Sequence, residues 1–310
     1  MGSEHHHHHH EMTRVNETGT QDSAESPEPE TFDSLNPVEA QHPWLRYVAL
    51  GDSFTEGIGD PDPERPGSHR GWADRVAQEL ANGTKNFAYA NLAVRGKLIE
   101  HIRDEQIARA LELKPDLITL CAGGNDVIRP GSDPDETARI LDTMVQMLST
   151  TGATIVLFNG PDVRDTPVMG SIRGKVAIFN ENVRTVAKRH DAVVADMWSL
   201  RELTAKEMWD EDRLHFSPLG HHTIARMVLD TLNVTHELSP VDPQPLAERT
   251  WREARVDDAI WARHHLFPWV IRRLRRRSSG DGVTAKRPDF GPLFEGSMPP
   301  GGTPAEPEQD

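Results

Sequence analysis

The chain contains a single cysteine, Cys121, so no disulfide can form within it and a reducing compartment suits it. No apolar run approaches the roughly 18 to 20 residues that a membrane span requires. The opening MGSEHHHHHHEM (residues 1–12) reads as an expression tag with its linker, and the natural start is expected at Met12. The segment after Met12 lacks the charged-then-apolar pattern of a signal peptide, so a cytoplasmic location is expected. Basic charge is also in short supply. Against 49 Asp and Glu stand 34 Lys and Arg, and the formal net charge of −15 excludes the basic footprint of a general nucleic-acid binder. Internal repeats are absent as well.

Residues 13–43 hold many acids, Ser and Pro but almost no large apolar side chains. Such a stretch cannot bury enough apolar surface to offset the entropy of ordering it, and it reads as a disordered acidic tail. Residues 278–310, rich in Gly, Pro and charge, read as a second disordered tail. Between the tails, 44–235 has the length of one α/β domain, and 236–277 forms a helical appendage.

Five short apolar runs punctuate the domain: Arg46 to Leu50, Phe87 to Ala93, Leu117 to Cys121, Thr154 to Phe158 and Ala192 to Asp196. They do not alternate strictly with polar residues, the pattern of strands covered on both faces. Between them, apolar residues recur three or four apart: Trp72, Val76 and Leu80; Leu98, Ile102 and Ile107 to Leu111; Ile140, Met144 and Met147 with Leu148; Val176, Phe179, Val183 and Val186. Asp133-Pro134 and Ser217-Pro218 mark helix starts. The alternation predicts a three-layer α/β/α sandwich around a central five-stranded parallel sheet, with a C-terminal helical appendage.

Ligands of such sheets sit beyond the carboxyl ends of the strands. There the sequence places Gly51-Asp52-Ser53-Phe54-Thr55-Glu56-Gly57 after the first strand and Arg95-Gly96-Lys97 after the second. Gly123-Gly124-Asn125-Asp126 comes after the third, and Asp212-Arg213-Leu214-His215-Phe216-Ser217-Pro218 precedes the last helix. Hydroxyl, imidazole, acid and carboxamide on one edge are the set that acyl transfer needs. A serine hydroxyl becomes a good nucleophile when an imidazole takes its proton, and His215 can do so if a carboxylate holds its other nitrogen. Asp210, Glu211 and Asp212 compete for that place, and spacing favours Asp212. The backbone N–H groups of Ser53 and Gly96 and the amide of Asn125 are candidates for an oxyanion hole.

These blocks, GDSFTEG, the glycine after the second strand, GGND and DRLHFSPLGH, resemble the four motifs of the SGNH, or GDSL-type, serine hydrolase family. The match runs in the right order from about Tyr47 to Leu232 and departs only in GDSF for GDSL. The resemblance implies a flavodoxin-like fold, no metal or other cofactor, and ester or related acyl substrates. It puts the family's serine on Ser53, its glycine on Gly96, its asparagine on Asn125, its histidine on His215 and its acid on Asp212. The charges of Glu56, Arg95, Lys97 and Arg129 near the motifs favour a small or short-chain, polar ester over a long lipid. Within this reading stand acetylated sugars, lysophospholipids, thioesters and acyl transfer to another acceptor; outside it stands a non-catalytic binding module with the same fold.

Other residues near the motifs have simpler readings. Asp52 and Asp126 are expected to tie loops through backbone hydrogen bonds, and Ser217 to cap the helix at Pro218. His221 and His222 lack the acids or cysteine that a metal site needs. Cys121 reads as a small core residue. In the appendage, Trp251, Val256, Ile260, Phe267, Val270, Ile271 and Leu274 recur at near-helical spacing, with Pro268 expected to split the run, and Arg272, Arg273 and Arg275 to Arg277 close it. Membrane contact through this Arg-rich helix is one reading. The other packs its apolar face across the domain, and it is favoured because Asp257, Asp258 and two histidines interrupt that face. A homo-oligomer is compatible with the sequence, which does not fix the state of assembly.

Overall fold

The computed structural model describes residues 41–166, 169–242, 249–274 and 280–291. The tag and most of the acidic tail therefore lie outside the described residues, as do Arg275 to Arg277 and the chain beyond Gly291. One sheet is formed by β1 (Arg46–Gly51), β2 (Ala88–Asn91), β3 (Leu117–Cys121), β4 (Thr154–Phe158), β5 (Val193–Ala195) and β6 (Arg287–Gly291). Its order is β5-β4-β3-β1-β2-β6. The first five strands run parallel, and β6 is antiparallel to β2.

The expected five-stranded parallel sheet is thus corrected to a six-stranded mixed one. The added strand comes from the stretch read as a disordered tail, and residues 280–291 are not disordered. Pro288 and the scarcity of apolar residues hide it in the sequence, yet proline is tolerated on a sheet edge. Specific contacts hold it. The Lys286 ammonium donates to the carbonyls of His69 (2.9 Å) and Arg70 (2.8 Å) and to the Asp74 carboxylate (3.0 Å). The Arg46 guanidinium lies 4.6 Å from the Phe290 ring centre.

Between the strands run α1 (Ser53–Glu56), α2 (Gly71–Ala81), α3 (Ile99–Leu113), α4 (Gly124–Ile128), α5 (Pro134–Ser149), α6 (Arg173–His190) and α7 (Pro218–Thr231). Successive β1 side chains serve opposite cores, as the two-residue period of a strand requires. Val48 and Leu50 join α3, α5 and α6; Tyr47 and Ala49 join α2 and α7. The expected caps are present: Asp133 accepts from Asp135 N–H at the start of α5, and Ser217 from Gly220 N–H at the start of α7. Each large aliphatic or aromatic side chain buried in this way contributes about 1.5–3 kcal/mol.

The appendage is α8 (Trp251–Trp261), a π-helical turn (Ala262–Leu266) and α9 (Phe267–Leu274). The run falls into two α-helices, as Pro268 led the sequence to expect, but the backbone between them stays helical. The widened turn directly upstream absorbs the proline, which has no N–H and crowds the preceding turn.

Candidate active site

β1 ends at Gly51, where a Cβ would come within 2.6 Å of the Cys121 carbonyl oxygen, so only glycine lets the strands close this tightly. Asp52 then caps α1 by accepting from the Phe54 N–H at 3.2 Å, which sets Ser53 as the first residue of that short helix. Phe54 anchors the turn in an aromatic cluster, with ring centres 5.4 Å from Trp72, 5.5 Å from Phe158 and 5.7 Å from Phe216.

The His215 loop is a hairpin-like tip. Trp209 and Phe216 pair across its base with rings stacked at 4.3 Å, and Asp210 N–H donates to the His215 carbonyl at 2.8 Å. At the tip Arg213 takes a left-handed conformation (φ 56°), which folds Asp212 back on its own loop. One Asp212 oxygen accepts from the N–H groups of Leu214 and His215, both at 2.9 Å. The other lies 2.5 Å from His215 Nδ1, and His215 Nε2 lies 3.1 Å from Ser53 Oγ. Burial pushes the Asp212 carboxyl up, but the His215 ring and these two N–H groups outweigh it and hold the group below the usual carboxylate range. Of the three competing acids, it is Asp212 that touches the imidazole.

Gly96 lies in the turn after β2 with φ 73°. That turn is gripped from below by the buried Glu56 carboxylate, which accepts from the Arg95 N–H at 3.0 Å and pairs with the Arg95 guanidinium. Gly280 passes so close above it that a Cβ there would overlap the Arg95 carbonyl oxygen. Asn125, at the start of α4, donates its amide to the Lys97 carbonyl at 3.1 Å and stands 3.5 Å from an Asp52 oxygen. Asp126 accepts from the Ile99 N–H at 2.9 Å. The structure therefore brings Ser53, His215 and Asp212 into one hydrogen-bonded series, and Asn125 bridges the loops that carry Asp52 and Gly96.

Asp52 is almost wholly buried, and burial pushes its carboxyl up to about 7. His221 is buried in the other core, between the Ile58 carbonyl (3.0 Å from Nε2) and the Trp72 N–H (3.0 Å from Nδ1). Burial pushes it down to about 4, so it is a neutral strut for the Gly57–Gly59 turn.

A cavity of about 160 Å³ opens from Ser53 and His215. Val127, Ile128, Val163, Ile172, Val176 and Phe179 line its depth. The charges that the sequence set near the motifs do not line it: Arg95 pairs with Glu56, and Lys97 with Glu105 at 3.2 Å. Glu56, Arg95, Lys97 and Arg129, the charges from which the sequence favoured a polar ester, are not among the residues lining this cavity, whose walls are mostly apolar. Cys121, read from the sequence as core, borders this cavity.

A second cavity of about 150 Å³ lies between the Asp212–His215 tip and the appendage, walled by Trp261, His264, His265 and Trp269, and the two cavities share Met169, Leu214 and His215. Trp261 donates its indole N–H to the Asp212 carbonyl at 2.6 Å. Arg213 pairs with Asp258 at 2.7 Å and lies 4.9 Å from the Trp261 ring centre. Sequence reasoning gave none of these three residues a part in the site. Trp261 fits the apolar stripe of an amphipathic helix, and Asp258 had read as an interruption of it.

The doubly wound α/β sandwich thus carries an acid, an imidazole and a hydroxyl in hydrogen-bonded series at the carboxyl edge of its sheet. The chain belongs to the GDSL-like lipase/acylhydrolase family, whose model matches residues 49–223, more than half of it. A curated relative, the uncharacterized protein YpmR of Bacillus subtilis (strain 168), is 31% identical over 88 residues, 26% of this chain. The match spans about a third (32%) of that relative's length. The fold is shared with LAE5, an alpha/beta hydrolase from the metagenome of Lake Arreo, Spain (TM-score 0.52, 21% identity, 63% of this chain and 98% of that one). It is shared with TesA (TM-score 0.51, 21% identity, 60% and 97%). A catalytic mutant of Axe2, an acetylxylan esterase from Geobacillus stearothermophilus, is also similar (TM-score 0.51, 18% identity, 63% and 96%).

Proposed function

We propose that this chain is a serine esterase that cleaves short-chain acyl esters through an acyl-enzyme. The observation that carries this reading is the series Asp212–His215–Ser53, with contacts of 2.5 and 3.1 Å, opening on an apolar cavity. His215 Nε2 takes the Ser53 proton as Oγ attacks the ester carbonyl, and the ionised Asp212 holds the ring and stabilises its positive charge. The N–H groups of Ser53 and Gly96 and the Asn125 amide receive the oxyanion; Ser53 N–H, in the first turn of α1, has no acceptor within its own helix. His215 then returns the proton to the departing alcohol. Water, activated by the same imidazole, releases the acid and regenerates Ser53.

The cavity size supports the substrate class, since an apolar cavity of about 150 Å³ accommodates a benzene ring. Short acyl chains fit, and longer ones must leave it. The test is release of p-nitrophenol from esters of increasing chain length, by the wild type and by Ser53→Ala. Turnover that peaks at short chains and vanishes in the folded variant supports the reading. Equal rates from both proteins rule out Ser53 as the nucleophile, and silence on every ester, acetylated sugars included, favours a binding module.

A further inference from the structure

Nine large apolar side chains are exposed among the described residues, and six of them fall on the appendage: Trp251, Val256, Ile260, Phe267, Val270 and Ile271. Trp251 is 74% exposed and Phe267 58%. Of the apolar face that the sequence set across the domain, these six side chains are exposed, while the appendage meets the domain through Trp261 and Asp258. The helix turns Trp261 and Trp269 toward the catalytic tip and a second apolar face outward. Clusters of this kind on a protein surface mark interaction sites, whereas single exposed residues need no explanation.

Charge identifies the occupant. The chain as a whole carries −15, yet Trp251–Leu274 holds five arginines against three acids, and the sequence runs on into Arg275, Arg276 and Arg277. Two of those acids are already engaged: Asp257 pairs with Arg249, and Asp258 with Arg213. Arg252, Arg255, Arg263 and Arg272 are exposed among the apolar side chains, although Arg255 also pairs with Asp258 at 3.3 Å and Arg272 borders the second cavity. Among the described residues no helix is long and apolar enough to cross a membrane. Exposed apolar side chains interspersed with arginines on a helical segment of this length suit the plane of a lipid interface, with the apolar groups in the acyl boundary and the arginines reaching anionic headgroups.

We propose that α8, the π-turn and α9 form a docking helix for anionic lipid bilayers. The proposal is independent of the esterase reading, since it concerns adsorption and not turnover.

The test is co-sedimentation of the full chain with phosphatidylcholine vesicles, with and without 30% phosphatidylglycerol. The wild type is expected to pellet with the anionic vesicles and to stay in solution with the neutral ones. Salt weakens the binding, and Phe267→Glu with Ile271→Glu lowers it at least tenfold. Both residues are exposed, so circular dichroism and p-nitrophenyl acetate turnover of the double variant are expected to match the wild type. Three outcomes overturn the proposal. One is no binding to anionic vesicles, and another is equal binding by wild type and variant. The third is a wild-type dimer, in analytical ultracentrifugation, that the variant breaks while neither protein binds lipid; that result assigns the face to a second copy of the chain. Loss of esterase activity with intact vesicle binding bears only on the catalytic reading.

Discussion

The indole N–H of Trp261 donates to the carbonyl oxygen of Asp212 across 49 residues of sequence, at 2.6 Å. It ties the appendage, which lies outside the family-matched region, to the one loop whose shape sets the Asp212–His215 contact. Trp261→Phe keeps the aromatic packing and deletes only the donor. A neutral hydrogen bond contributes about 0.5–1.5 kcal/mol to stability, so the urea midpoint is expected to fall by a corresponding amount, and kcat to fall with it if the bond also holds the Asp212 tip in place. Steady-state kinetics of the variant beside Trp261→Ala checks this, and an unchanged kcat in both separates the appendage from catalysis.

Asp212→Asn preserves the shape of the tip but removes the charge that holds the imidazole. A drop in kcat of about 10²- to 10⁴-fold is expected on a short p-nitrophenyl ester. Asp210→Asn, at the same loop but outside the imidazole contact, is expected to fall by far less. A reversed ranking would move the acid to Asp210.

Asn125→Ala removes an amide that rests on the Lys97 carbonyl in the free protein. If it also serves the oxyanion, kcat falls about 10²- to 10³-fold, and KM moves little. A change confined to thermal stability would reduce Asn125 to a loop tie.

Asp52 gives a pH signature in stability. Its carboxyl titrates near 7 in the folded chain against an ordinary value of 3.8. Between those values the folded state binds the extra proton, so stability contributed by this group is present at low pH and lost as pH rises toward 7. Asp52→Asn keeps an acceptor for the Phe54 N–H and abolishes that loss. Urea unfolding at pH 5 and pH 7.5 is expected to show the variant gaining on the wild type by up to about 1.4 kcal/mol per pH unit. A gap that is constant with pH contradicts the shift.

Gly59 has φ 95°, and a Cβ there would sit 2.0 Å from the Phe216 carbonyl oxygen. Gly59→Ala must push the His215 loop away from the α1 turn. A loss of about 2–3 kcal/mol in unfolding free energy is expected, with activity falling further than stability. Calorimetry and kinetics on the same sample decide it.

Much of the fold was legible because burial writes a pattern on the chain. The runs at Tyr47–Leu50 and Leu117–Leu120 lie between two cores, so both faces had to be apolar. The helix starts at Pro134 and Ser217-Pro218 announced themselves through their caps, which act within three residues. β6 was illegible for the opposite reason. Lys286 and Phe290 are held by partners about 200 residues away, and a lone lysine in a Gly- and Pro-rich stretch carries no sign that its ammonium will find His69, Arg70 and Asp74.

By itself the sequence determined the alternation of strands and helices, the candidate groups at the sheet's carboxyl edge and the preference for Asp212 over its neighbours, because these depend on short-range spacing and on periodicity. Only the tertiary structure decided that Arg95 and Glu56 neutralise each other outside an apolar cavity, and that Trp261 fastens the Asp212 tip while Phe267 and Ile271 face outward. Those outcomes depend on which distant segments pack together, and direction around a helix does not say which face will find a partner.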